Sequence, residues 1–201
     1  MTTSTHGRQF PPEVLTPEEV RRLMNVFTGD RWACLRDRAL IAVLYRTGLR
    51  VSEALALREK DVDPARHAVR VMRGKGGRSR TVGIDDGALH VLNQWLQRRS
   101  AMGYDAGQAI FCTAWGRAVA PGHVRRMLKR ASEAAGIAKR VHPHGLRHTL
   151  AAELREEGID IGVISKQLGH ADIATTARYL DHIAPAAVLA AMMERGWGGG
   201  D

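Results

Sequence analysis

Aromatic residues are scarce. Four Trp, three Tyr and three Phe make up 5% of the chain. The core must therefore be built from Leu, Val, Ile and Ala, and with 44% apolar residues there is enough material for one. Only two cysteines occur, Cys34 and Cys112, both among apolar neighbours and neither in a CxxC pair. That excludes a disulfide framework and predicts two buried thiols in a reducing compartment. No Cys/His spacing supports a zinc site. No apolar run approaches the length of a membrane span, and the N-terminal MTTSTHGRQF lacks the apolar stretch of a signal peptide. The expected location is cytoplasmic. The pattern GxxxxGK[ST] is missing, so Gly74-Lys75-Gly76 is not a nucleotide-binding P-loop. Acids are also in deficit, with 21 Asp plus Glu against 30 Lys plus Arg and a net charge of +9. Most of the excess is arginine, whose planar fork suits bidentate phosphate contacts. A polyanionic partner, nucleic acid first, is what this balance points to.

At 201 residues the chain suits one domain with small appendages. Residues 1–13 read as a flexible N-terminal segment. Thr16-Pro17-Glu18-Glu19 then announces a helix, with Thr16 as N-cap, Pro17 in the first helical position and Glu19 closing a capping box. This helix is expected to reach Phe27. Asp37 to Tyr45 reads as a mostly apolar core helix broken at Thr47-Gly48. A further helix opens at Leu49-Arg50. An arginine there, directly after a glycine turn, is either an ordinary surface residue or an anion clamp. Glu53 could buttress it.

The periodicity then changes to two. Ala68–Met72 and Arg80–Ile84 alternate and flank the glycine-rich, basic stretch Arg73–Ser79, which predicts a β-hairpin. Its Arg73, Lys75, Arg78 and Arg80 either decorate a solvated turn or form a finger for a nucleic-acid groove. Asp86 to Ser100 reads as an amphipathic helix with Leu89, Leu92, Trp95 and Leu96 inward. Pro121 to Ala135 reads as another, and its outer face carries Arg125, Arg126, Lys129 and Arg130. That face is either solvated or in contact with DNA. A helix from about His144 to Glu157 puts His144 and Arg147 on one face. A second helix follows from Asp160 to Leu168, then His170, then a helix capped by Asp172 that carries Thr175, Thr176 and Tyr179. Two imidazoles, a guanidinium and a phenol in one segment could bind and attack a phosphate, or could be unrelated surface groups. Ala186–Met193 reads as a short apolar helix, followed by a Gly-rich tail.

Five pieces, in order, carry a resemblance: Thr47-Gly48-Leu49-Arg50-Val51-Ser52-Glu53, Gly74-Lys75-Gly76-Gly77, His144-Gly145-Leu146-Arg147-His148, Leu168-Gly169-His170 and Thr175-Thr176-Ala177-Arg178-Tyr179. Together they resemble the catalytic domain of the tyrosine recombinases, also called phage integrases, over roughly Leu15 to Ile183. The resemblance implies an α+β fold, mostly helical, with a small three-stranded antiparallel sheet that includes the basic hairpin. It makes 14–184 the catalytic domain and 185–201 a C-terminal helix and tail able to dock on a neighbouring protomer. It implies the active set Arg50, Lys75, His144, Arg147, His170 and the nucleophile Tyr179, with Glu53 supporting Arg50. The implied activity is site-specific cleavage and rejoining of double-stranded DNA through a 3′-phosphotyrosine, without cofactor, metal or ATP. The implied assembly is a homotetramer on synapsed DNA, formed by a chain that is monomeric in solution. A type IB topoisomerase-like nicking-closing enzyme and a DNA-binding protein with reduced catalysis are the alternatives. One departure stands out. Family members usually carry an N-terminal helical core-binding domain, whereas only the residues before Leu15 precede the first predicted helix here. The expectation is a short form or an excised catalytic domain.

Overall fold

The computed structural model describes residues 13–72 and 79–170, together with Ala174, Thr176, Ala177, Met192 and Met193. The N-terminal segment, the hairpin tip, the Asp172 cap and most of the Ala186–Met193 helix lie outside the described residues. Met192 and Met193 are helical and exposed.

The first helix, α1 (Pro17–Asn25), begins as its sequence dictates. Thr16 Oγ1 accepts from the Glu19 N–H at 3.2 Å, and the Glu19 carboxylate accepts from the Thr16 N–H at 2.8 Å. It ends two residues before Phe27, its expected end. The next helix, α2 (Trp32–Thr47), starts well before Asp37. The polar pair Arg36-Asp37 looks like a boundary in sequence, but both side chains are buried and matched. Arg36 donates to Asp37 at 2.8 Å and to the Cys112 carbonyl at 3.1 Å. Every residue from Ala39 to Tyr45 is buried. A helix apolar on all sides must be covered on all sides, and α2 is the axis of the fold. Both α4 (Asp86–Ala101) and α6 (Pro143–Glu156) pack along it.

After Gly48 comes the short α3 (Val51–Ala56). The sheet follows: β1 (Val62–Asp63), β2 (Ala68–Val71) and β3 (Arg80–Gly83), antiparallel in the order β1-β2-β3. Val71 pairs with Arg80 at the base of the hairpin. Val69, Val71 and Val82 face the core, while Arg70 and Thr81 face out. On α4, Leu89, Leu92 and Trp95 are buried, and the Trp95 indole donates to the Ile110 carbonyl at 2.9 Å. Both α5 (Pro121–Ala134) and α7 (Ile161–Leu168) complete the described helices of eight residues or more. Cys112 is fully buried as expected, but Cys34 is only half-buried, because it lies in the first turn of α2, before the covered stretch.

Two packing features set up the site. A small apolar cluster of Leu150, Ala151, Ile164 and Leu168 binds α6 to α7 beside the main core. Burying each leucine contributes roughly 1.5–3 kcal/mol. The Gln167 side chain then ties α7 to the sheet. It accepts from the Gly83 N–H at 2.8 Å, donates to the Gly83 carbonyl at 2.9 Å and donates to the Thr47 carbonyl at 3.2 Å. One amide thus serves as an extra strand residue for β3 and a pin for the end of α2. Among the described residues, no helix is long and apolar enough to cross a membrane.

Candidate active site

Two glycine turns frame the site. Gly48 ends α2 and Gly169 ends α7, both with left-handed backbone (φ 63 and 67). Each turn leaves a carbonyl pointing inward. The Arg147 guanidinium, 2% exposed on α6, bridges them by donating to Gly48 O through Nη1 and to Leu168 O through Nη2, the latter at 2.7 Å. A buried charge needs such partners, and carbonyls at helix C-termini carry the partial negative charge that suits a cation. Only arginine offers two donors in a rigid fork to span both turns.

Arg50 is the N-cap residue of α3. Glu53, three positions on, reaches back to the Arg50 N–H at 2.9 Å and to its Nη1 at 3.1 Å. The same carboxylate takes two bonds from Arg80 on β3, at 2.8 and 2.9 Å. Glu53 is 4% exposed at its side chain. Burial pushes its carboxyl up. The Arg80 hydrogen bonds, the Arg50 N–H and the two guanidinium charges outweigh that and hold it at about 2. Arg50 keeps 31% exposure and opens onto a cleft of about 890 Å³.

The imidazoles come from α6 and the Gly169 turn. The helix α6 is capped by His142 rather than starting at His144, and His142 Nδ1 accepts from the Gly145 N–H at 3.1 Å. His144, in the first turn, is exposed in the same cleft, one helical turn from Arg147. Burial of the ring, then the charges of Arg147 and Arg50, lower its pKa. His170 follows the Gly169 turn, and its Nδ1 lies 2.7 Å from Oγ1 of the fully buried Thr176. Its pKa falls to about 4 through burial first, then Arg147, Arg50, Arg80 and His144. His148 is also held near 4, through burial and then His144, and its ring centroid lies 6.1 Å from that of His144. Near pH 7 His148 and His170 are therefore neutral, both beside the Arg147 charge and His170 beside Arg50 and Arg80 as well, in a field that suits an anion.

The remaining expected residues divide. Arg125, Arg126 and Lys129 on α5 are exposed and line the same cleft as Arg50 and His144. Arg130 is exposed on the same helix but outside the cleft. Arg80 stands in sequence among the DNA-facing cations, but its guanidinium turns inward onto Glu53 and the side chain is 17% exposed. The reason is the buried carboxylate, which one half-exposed Arg50 would leave undercompensated. Arg73, Lys75, Arg78 and Tyr179 lie outside the described residues. Sequence reasoning missed His142 as a cap, Gln167 as a pin and Thr176 as the partner of His170. Only Thr176 left a signal, as a member of the Thr175–Tyr179 motif. Among the described residues, no group of three or more His, Cys, Asp or Glu could hold a metal ion.

This geometry has counterparts. Residues 13–184 match the model of the Phage integrase family. The chain is 35% identical over 193 residues to the tyrosine recombinase XerD of Bifidobacterium longum (strain NCC 2705), covering 91% of this chain and 62% of that protein. It superposes on the crystal structure of XerA recombinase with a TM-score of 0.82, at 30% identity, over 98% of this chain and 68% of that one. The catalytic domain of bacteriophage HP1 integrase matches with a TM-score of 0.60, at 25% identity, over 92% of this chain and 96% of that domain. The chain thus spans about three fifths of the length of the curated XerD relative (62%). With one family model running from residue 13 to 184 across the paired glycine turns and the arginines they hold, the chain belongs to the phage integrase, or tyrosine recombinase, family.

Proposed function

We propose that this chain is the catalytic part of a site-specific DNA recombinase that cuts and rejoins double-stranded DNA through a covalent phosphotyrosine. The observation that carries the reading is the joint placement of Arg147, gripped by two carbonyls, and Arg50, anchored by Glu53, with both charges acting on His144 and His170. A scissile phosphate seated between the two guanidinium groups gains charge on its non-bridging oxygens as the transition state forms. Fixed donors aimed at that charge lower the barrier.

The Tyr179 hydroxyl attacks phosphorus. A bond forms from the phenolic oxygen to phosphorus as the bond to the 5′ oxygen breaks. The phenolic proton passes to the neutral His144, and Lys75 protonates the departing 5′ oxygen. The products are a 3′-phosphotyrosine and a free 5′-hydroxyl. A 5′-hydroxyl from a second strand reverses the steps and completes exchange, with the phosphoester energy retained. His170, held by Thr176, donates to the phosphate from Nε2 when Thr176 donates to Nδ1. The cleft wall of Arg125, Arg126 and Lys129 binds the flanking backbone, joined by Arg73, Arg78 and Arg130. Strand exchange takes place in a homotetramer assembled from monomers on two synapsed duplexes, in the cytoplasm.

The test is a set of nicked duplexes tiling the DNA that flanks the gene, incubated with the full chain and resolved on denaturing gels. A covalent protein–DNA band that vanishes in Tyr179→Phe is expected. Absence of any band on every duplex, with folded protein, overturns the proposal. Adducts that religate but never exchange strands between two duplexes would make the chain a nicking-closing enzyme instead.

A further inference from the structure

The Arg80 side chain is the one cation of the hairpin strands that does not face solvent. It gives two hydrogen bonds to Glu53, the residue that holds Arg50. Its other side lies on the Gly169 turn. A Cβ added at Gly169 would sit 2.3 Å from Arg80 Nε and 2.6 Å from its Cζ, so the turn that introduces His170 is glycine partly because Arg80 occupies that space. Arg80 is also paired with Val71 at the base of the hairpin. One guanidinium therefore touches the support of Arg50 and the turn before His170, at the root of the hairpin.

The charge arithmetic is the second observation. Arg50, Glu53 and Arg80 sum to one positive charge. Arg80 engages both carboxylate oxygens, so the Arg50 guanidinium shares only Oε1, through Nη1, while the Arg50 backbone N–H holds Oε2. Remove Arg80 and the whole carboxylate charge falls on Arg50. That pair is then neutral, and Arg50 is drawn toward Glu53 and away from the cleft. Resting on the recombinase reading above, we infer that Arg80 is a positioning residue that balances Glu53, keeping Arg50 a net cation aimed at the scissile phosphate and seating the Gly169-His170 turn. It acts through Glu53 and does not touch DNA.

This role differs from a DNA contact in a measurable way. Arg80→Met keeps the length and removes the charge. It is expected to lower the rate of adduct formation on the nicked duplexes by more than about tenfold, with affinity for the duplex changed less than about threefold. Adding Glu53→Gln removes the excess negative charge and is expected to restore part of the rate, so that the double variant cleaves faster than Arg80→Met alone. A phosphate-contacting arginine would instead lose affinity with a reduced salt dependence and gain nothing from Glu53→Gln. Arg80→Lys is the second variant, used if Arg80→Met fails to fold; it keeps the charge but cannot span both Glu53 oxygens, and is expected to keep affinity and to lose rate by less than Arg80→Met. An independent reading comes from NMR titration of the free protein, in which the His170 pKa rises in Arg80→Met because a nearby positive charge is gone. Wild-type cleavage rates in Arg80→Met and Arg80→Lys, or loss of affinity without rescue by Glu53→Gln, overturn the inference. If the wild-type chain forms no adduct at all, the recombinase reading fails instead, and an unmoved His170 pKa then overturns the inference separately.

Discussion

Gly48→Ala should damage both the fold and the site, by an amount the structure fixes. The left-handed backbone at φ 63 costs a non-glycine residue about 1 kcal/mol. A Cβ there would stand 2.7 Å from Leu168 Cδ2 and 3.0 Å from Leu150 Cδ2. Both leucines belong to the small cluster between α6 and α7 and are almost fully buried, so neither can swing into solvent. Overpacking of that kind costs typically 1–3 kcal/mol. The sum is about 2–4 kcal/mol, or roughly 5–15 °C in Tm for a chain of this size. The clash also pushes the Gly48 carbonyl off Arg147, and cleavage should fall beyond what the lost stability explains. Gly29→Ala is the control. Its φ is 85 and nothing lies within 4 Å of the added Cβ, so it pays the strain alone, about 1 kcal/mol. Urea denaturation of the two variants gives the difference, and adduct formation at 20 °C below each Tm gives the activity. If Gly48→Ala matches Gly29→Ala in stability and cleaves at the wild-type rate, the placement of the Arg147 carbonyls is wrong.

Thr176→Val removes the hydroxyl that fixes His170 Nδ1 and should cost about 1 kcal/mol. Cleavage should drop several-fold with duplex affinity unchanged by gel shift; an unaltered rate would mean that the tautomer of His170 does not matter. Stability should fall in mild acid. His148 and His170 titrate near 4 when folded and near 6.5 when unfolded, so between those values the unfolded chain binds more protons. Their contribution is whole above pH 6.5 and is lost toward pH 4, at most about 3 kcal/mol for each ring. Glu53, held at about 2, adds a further loss below pH 4.5. Thermal melts from pH 7 to 3.5 should follow that order, with the first phase flattened in His148→Gln; a flat profile down to pH 4.5 would contradict the neutral imidazoles.

Much of the architecture was legible because it follows from local rules. The Thr16 capping box, the Gly48 and Gly169 stops, the alternation of β2 and β3 and the inward face of α4 are each written within a few residues. The candidate residues stood out in sequence for a related reason. Arg50 and His170 follow glycine turns, and His144 and Arg147 share one helix face. What escaped the sequence was pairing over distance. Arg36-Asp37 reads as a helix boundary until Cys112 is seen to accept from Arg36 across 76 positions. Arg80 reads as one more basic hairpin residue, and only the approach of β3 to α3 gives it Glu53, 27 positions back. Gln167 and His142 gave no signal, since an amide closing a sheet edge and an imidazole capping a helix are uncommon uses of common residues.

The two turns explain why the site is inseparable from the fold. Arg147 is buried, and the two carbonyls offset part of its desolvation. One carbonyl belongs to the end of α2, the other to the end of α7. The distance between those ends is set by Leu150 and Leu168 packing below and by Gln167 pinning Thr47 and Gly83 beside them. The guanidinium therefore senses the docking of α7 on the rest of the molecule. Burial first, and then its own charge, lower the pKa of both His144 and His170. A shift of α7 relative to α2 would release one carbonyl, move the Gly169 turn off Arg80 and carry His170 away from Arg50 in the same displacement. The proposed cleavage thus depends on the α2–α6–α7 junction, because Arg50, His144, Arg147 and His170 keep their places only while that junction is closed.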